Sequence, residues 1–198
     1  MFVTFEGVDG SGKTTQAELL AAHLSGQGGE VVATREPGGT PLGERVRELL
    51  LEGEPVSAWT EAALFAAARA ELVERVIRPA LERGADVVCD RYLDSSLAYQ
   101  GIARGLGVER VLELNLYVIG GVLPDRTFVL SLDPQSAEKR LGSRRDRIER
   151  EGSGFLAEVD RAYRELAGMF PGRVKILDGT LRPAELAGLV REELAALV

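Results

Sequence analysis

The chain has 198 residues and 45% apolar content, enough to bury a substantial core, and is read as one domain spanning 1–198. Its net charge of -7 disfavours wrapping nucleic acid, which needs a basic face, yet leaves open a small phosphorylated ligand held by a local cluster of cations. The only cysteine, Cys89, excludes an internal disulfide and a multi-cysteine metal site, and fits a reducing cytoplasm.

In chain order, the opening residues carry no basic stretch ahead of a long apolar run, so a signal peptide is not expected. No segment approaches the roughly 18 unbroken apolar residues of a membrane span. Phe2 to Phe5 reads as a strand, followed by a glycine-rich turn and a helix from Lys13 to about Ser25. Glu30 to Thr34 reads as a second strand and Pro41 to Leu51 as a helix. Thr60 to Arg83 is expected to form one long helix, and Val87 to Cys89 a strand ending at Asp90. Helices are expected near Ser95 to Ala103 and Val108 to Val118, then a strand from Thr127 to Leu132. Pro134 to Arg150 and Gly154 to Met169 read as helices, Val174 to Leu177 as a fifth strand, and Pro183 to Leu197 as a closing helix. Apolar strands alternating with helices imply a five-stranded parallel sheet covered on both faces, an α/β fold.

Gly7-Val8-Asp9-Gly10-Ser11-Gly12-Lys13-Thr14 matches the phosphate-loop pattern G-x-x-x-x-G-K-[ST] at every fixed position, between an expected strand and an expected helix. Glycines let successive backbone N–H groups converge on an anion, and the helix N-terminus adds partial positive charge. Lys13 is expected to reach the β- and γ-phosphates of ATP, and the Thr14 hydroxyl to ligate Mg²⁺. This places the fold among the P-loop NTPases. Asp90, at the carboxyl end of an apolar strand, is the expected second oxygen towards Mg²⁺; a capping role in the next loop is the plainer reading. Cys89 reads as a small buried apolar residue and His23 as a surface residue. The arginine-rich stretch from Arg140 to Arg150 is the one compositional anomaly inside an element. The cations are otherwise nearly all arginine, with lysine only at 13, 139 and 175 and asparagine only at 115. A thermophilic source and a GC-rich genome would both produce that bias.

Four segments together resemble thymidylate kinases: 5–16 around the phosphate loop, Thr34-Arg35-Glu36-Pro37-Gly38-Gly39-Thr40, Asp90-Arg91-Tyr92 with the following 95–101, and Asp146-Arg147-Ile148-Glu149 after an arginine-rich run. The resemblance covers nearly the whole chain in the right order. It implies transfer of the γ-phosphoryl group of ATP to dTMP, with Mg²⁺, in a homodimer. It also implies roles for single residues. Arg91 would clamp the acceptor phosphate, a task suited to a forked guanidinium. Phe65 and Arg69, one helical turn apart, would stack on thymine and bond its carbonyl edge. Ser96 would help read the base, Tyr99 would lie against the sugar and Asp9 would contact the 3′-hydroxyl, and Gln100 would belong to the same substrate site. Arg47 would either reach the acceptor phosphate or lie on a solvated helix face, and Glu36 would belong to the acceptor site. On the donor side Gly7, Asp9, Gly10, Ser11, Gly12, Lys13, Thr14 and Thr15 would hold the phosphates, and Arg140 would stack on adenine beside the loop Asp178 to Thr180. The phosphate loop lacks the arginine that some members carry there, so the resemblance is to the bacterial-type subgroup whose lid, about 140–151 here, supplies it. Arg144, Arg145 and Arg147 are the candidates. A kinase for another nucleotide or a deoxynucleoside, and a P-loop nucleotide switch, are the competing readings. The switch would have no need of Phe65, Arg69 and Tyr99 around a second pocket.

Overall fold

The structure, a computed structural model, describes residues 1–140 and 146–197. Its centre is a five-stranded sheet, β1 (Phe2–Glu6), β2 (Val31–Arg35), β3 (Asp86–Asp90), β4 (Arg126–Ser131) and β5 (Val174–Asp178), in the order β2-β3-β1-β4-β5. Every neighbouring pair is parallel, as the alternation of strands and helices implies.

Side chains alternate across β1. Val3 and Phe5 pack with Val88, Phe128 and Leu130 against α1 (Lys13–Gly26) and α9 (Pro183–Ala195), through Ala17, Leu20, Leu186, Val190 and Leu194. Phe2 faces the other way and joins Val87, Cys89 and Val129 in the larger core. That core is completed by the helices around 72–119 and by α8 (Ser153–Met169). Burying each such side chain contributes about 1.5–3 kcal/mol, so the two-sided burial of the central strands β1, β3 and β4 fixes their register.

The long helix expected over Thr60–Arg83 is observed as α3 (Ala58–Leu72), a π-helical segment (Val73–Ile77) and α4 (Arg78–Glu82). Ser57 caps α3 by accepting from Thr60 N–H, and Thr40 caps α2 (Pro41–Leu51) by accepting from Gly43 N–H. The helix expected near Ser95–Ala103 is α5 (Leu93–Ser96) continuing into a π-helical segment (Leu97–Ala103), followed by α6 (Val108–Ile119).

The expectation of one helix from Pro134 to Arg150 is corrected. The helix α7 runs Pro134–Arg140, and residues 146–148 are not helical. The Arg147 N–H donates to Leu51 O at 2.9 Å. A tertiary partner replaces the helical carbonyl there, and only a single 3₁₀ turn, Glu149–Glu151, precedes α8.

Candidate active site

β1, β2 and β3 end at one edge of the sheet, and the polar residues that follow them converge there. After Glu6 the chain turns through 7–12 and α1 begins at Lys13. Gly7 has φ of 134°, and a Cβ there would stand 2.5 Å from Leu130 O, so only glycine fits. Gly12 caps α1 in the left-handed conformation without a side-chain bond, so the first-turn N–H groups stay available to an anion. Lys13 is 5% exposed and donates to Val8 O at 2.9 Å. Burial, and then the nearby Arg91, push its ammonium below the usual lysine range. A bound phosphate would relieve both costs.

The Thr14 hydroxyl donates to Asp90 Oδ2 at 2.5 Å, while Asp90 Oδ1 is buried with no hydrogen-bond partner. A hydroxyl beside a carboxylate with an open oxygen suits a hard divalent cation that takes its remaining ligands from phosphates and water. Among the described residues no group of three or more His, Cys, Asp or Glu converges as a metal cage.

Arg91 follows β3 with φ of 69°, the left-handed region in which a non-glycine residue is strained. The strain aims its guanidinium across the sheet edge. Nη2 donates to Asp9 Oδ1 at 2.6 Å, Nη1 donates to Ser95 Oγ at 3.2 Å, and the group lies 5.5 Å from the Tyr99 ring centroid. Burial pushes the Asp9 carboxyl up, but Arg91 and Lys13 outweigh it and hold it far below the usual range. Glu6 braces this turn. Its carboxylate accepts from Tyr92 N–H at 2.8 Å, Ser95 Oγ at 2.5 Å and Tyr163 OH at 2.8 Å.

Two pockets meet at this point. One is lined by Asp9, Gly10, Gly12, Lys13, Thr14, Thr15, Arg35, Asp90 and Arg140 among others. The second is lined by Glu36, Pro37, Leu51, Phe65, Ser95, Ser96, Tyr99, Gln100, Asp146 and Ile148. Asp9, Glu36, Arg47 and Arg91 line both. The π-helical segment carries Tyr99 and Gln100, both buried. Tyr99 sits edge-on to Phe155 and Tyr163, with centroids 6.1 and 6.4 Å away. Arg47 Nη1 donates to Pro37 O at 3.0 Å.

Arg69 is placed differently from the resemblance's expectation of a group bonding the base. It is 1% exposed and is not among the residues lining the second pocket. Its guanidinium donates to Glu36 Oε2 (2.9 and 2.6 Å), Ser96 Oγ (3.0 Å), Tyr92 O (2.9 Å) and Asn115 Oδ1. Those bonds occupy all five guanidinium donors. Arg69 thus braces the pocket from beneath, through Ser96 and Glu36. Burial pushes the Glu36 carboxyl up to about 7 despite Arg69, and Glu36 Oε1 is buried without a partner.

Arg140 donates to Gly179 O at 3.0 Å and Gly10 O at 3.3 Å, bridging the phosphate loop to the loop after β5. Arg144 and Arg145 lie outside the described residues. Arg147 is 8% exposed; its Nε donates to Leu50 O at 2.7 Å and its Nη2 to Glu61 Oε2 at 2.7 Å. The structure brings together Asp9, Lys13, Thr14, Asp90 and Arg91, and around the second pocket Phe65, Ser96, Tyr99 and Gln100. It turns Arg147 onto α2 and α3 instead. Glu6, Glu61 and Tyr163 were not legible as site residues. An acid at the end of a strand was the only signal for Glu6, and Glu61 reads as one charge among many on an alanine-rich helix.

The family model described as thymidylate kinase matches residues 5–188. A thymidylate kinase of Bifidobacterium longum (strain DJO10A) is 49% identical over 185 residues, covering 91% of this chain and 90% of the relative. One of Symbiobacterium thermophilum is 48% identical over 194 residues, covering 96% and 91%. The crystal structure of a thymidylate kinase from Ehrlichia chaffeensis superposes with a TM-score of 0.82 at 36% identity, covering 98% of each chain.

Proposed function

The chain belongs to the thymidylate kinase family, and from that premise we propose that it transfers the γ-phosphoryl group of ATP to dTMP, giving dTDP for dTTP synthesis. The observation that carries the reading is the meeting of two pockets at Asp9 and Arg91. One pocket has the phosphate loop as its floor, and the other has an aromatic and amide lining of the chemistry that holds a nucleoside.

The acceptor is itself an anionic phosphate and needs no general base. Catalysis then reduces to positioning and charge neutralisation. Lys13 and the α1 N-terminus hold the ATP phosphates. Arg91 holds the acceptor phosphate, while Asp9 fixes the guanidinium and remains an acceptor for a sugar hydroxyl. Phe65 and Tyr99 pack the base and the sugar, and Ser96 and Gln100 offer polar edges to the base. Thr14 and Asp90 would hold Mg²⁺, which neutralises phosphate charge when bound. The segment 140–151 serves as a lid, with Arg144 and Arg145 as the lid arginines and Arg140 against adenine.

Residence in the cytoplasm is part of this proposal. It fits the single free cysteine and the lack, among the described residues, of a helix long and apolar enough to cross a membrane. A homodimer is also part of it. Trp59, Leu116 and Tyr117 stand 43%, 38% and 91% exposed on α3 and α6, which pack side by side, and a second copy would cover them.

The test is ADP release with ATP and Mg²⁺ in the presence of dTMP, AMP, GMP, CMP or thymidine. Turnover with dTMP is expected to exceed the others by at least about a hundredfold. Equal turnover with AMP, a preference for free thymidine, or slow release indifferent to the acceptor overturns the proposal.

A further inference from the structure

Glu61 is a buried acid to which the reading above gives no task. It lies on α3 at 1% exposure, behind the second pocket. Its Oε1 accepts from Gln100 Nε2 at 2.9 Å, and its Oε2 accepts from Arg147 Nη2 at 2.7 Å. Arg104 approaches both oxygens, at 3.3 and 3.4 Å. We propose that Glu61 is a positioning residue that sets the face of the Gln100 amide shown to the acceptor base, and so the choice between a thymine and a cytosine ring. This rests on the assignment of a nucleoside monophosphate to the second pocket.

An ionised carboxylate can only accept, so the Gln100 amide must turn its nitrogen to Glu61. The carbonyl oxygen is then the group that Gln100 presents elsewhere, and Gln100 lines the pocket. A carbonyl oxygen welcomes a ring N–H, which thymine has at position 3. It repels the bare ring nitrogen that cytosine has there. Gln100, Arg147 and Arg104 hold the Glu61 carboxyl below the usual range although burial pushes it up. The lock therefore persists at neutral pH. The second oxygen has a separate task. Through Arg147 it seats residues 146–148, of which Asp146 and Ile148 form part of the pocket wall.

A glutamine at 61 could donate or accept towards Gln100, so the Gln100 amide would no longer be held one way round. The experiment measures kcat/KM for dTMP and dCMP, and KM for ATP, in the wild type, Glu61→Gln, Glu61→Asp and Arg147→Ala. In Glu61→Gln the dTMP to dCMP ratio is expected to fall by about tenfold or more, with KM for ATP within about twofold of the wild type. Glu61→Asp keeps a pure acceptor and should retain more of the ratio than Glu61→Gln, even if both lose stability. Arg147→Ala should raise KM for dTMP while leaving the ratio intact. An unchanged ratio in Glu61→Gln overturns the proposal, as does a lower ratio in the Asp variant than in the Gln variant. An equal loss of ratio in Arg147→Ala also overturns it, because collapse of the wall would then account for the effect. A wild type that does not turn over dTMP at all would instead refute the underlying function.

Discussion

Arg91 Nη2 and Asp9 Oδ1, 2.6 Å apart, join the end of β3 to the phosphate loop at the point where the two pockets meet. The pair holds a strained backbone, a half-buried cation and a half-buried anion in one arrangement. Arg91→Ala should lower kcat/KM for dTMP by about two to three orders of magnitude, the range for losing a group that neutralises transition-state charge. Arg91→Lys should recover little, since an ammonium cannot serve Asp9, Ser95 and a phosphate in one plane. Because φ is 69° there, Arg91→Gly should be more stable than Arg91→Ala by about 1 kcal/mol in urea titration, although equally inactive. A lysine variant with wild-type kinetics would contradict the clamp.

Arg69 carries a stability cost as well as a binding one. Its removal leaves the buried Glu36 carboxylate and Asn115 without their cation. Arg69→Ala is expected to lose about 3–5 kcal/mol of unfolding free energy, measured by denaturant titration, together with a raised KM for dTMP. A variant of wild-type stability with only the KM effect would show that Arg69 acts on the base and not as a brace.

Glu36 should make stability depend on pH in a window below neutrality. Its folded-state carboxyl is raised from 4.5 to about 7, so the folded state binds the proton more tightly than the unfolded one. That contribution is fully present below about 4.5 and is lost as pH rises through 7. The stability of Glu36→Gln relative to the wild type should accordingly rise between pH 5 and pH 8, by up to about 3 kcal/mol. Chemical denaturation of both proteins across that range measures it, and a flat difference would exclude a raised carboxyl.

Asp90 bears on the cation requirement. Asp90→Asn keeps the shape but removes the charge beside Thr14. The Mg²⁺ concentration for half-maximal turnover should rise by about tenfold or more, with KM for dTMP little changed. An unchanged Mg²⁺ titration would leave Asp90 as a loop cap.

The three lid candidates should separate. Arg144→Ala or Arg145→Ala is expected to lower kcat by about a hundredfold at saturating ATP and dTMP, with little change in KM. Arg147→Ala, whose guanidinium is held by Leu50 O and Glu61, should act mainly on KM for dTMP. Tolerance of both the 144 and 145 changes within tenfold would leave Lys13, Arg91 and the metal to carry the charge.

Two kinds of information are separable in this chain. The glycine spacing from Gly7 to Gly12, the apolar strands and the helical periods are local, because a strand buried on both faces has to be apolar along its length and a phosphate loop has to follow a strand. They determined the parallel sheet, the phosphate loop and the position of Asp90 from the sequence by itself. Arg69 and Arg147 show what local information cannot reach. Both are arginines on or beside a helix, and the family resemblance assigned each to a ligand. Tertiary structure gave one to Glu36, 33 residues away, and the other to Glu61, 86 residues away. The helix expected through Arg150 failed for the same reason, since a hydrogen bond to Leu51 O replaced the helical one at Arg147. The partners of a buried charge are chosen by the desolvation cost of leaving it alone, and that cost depends on which distant segments the fold brings within about 3 Å.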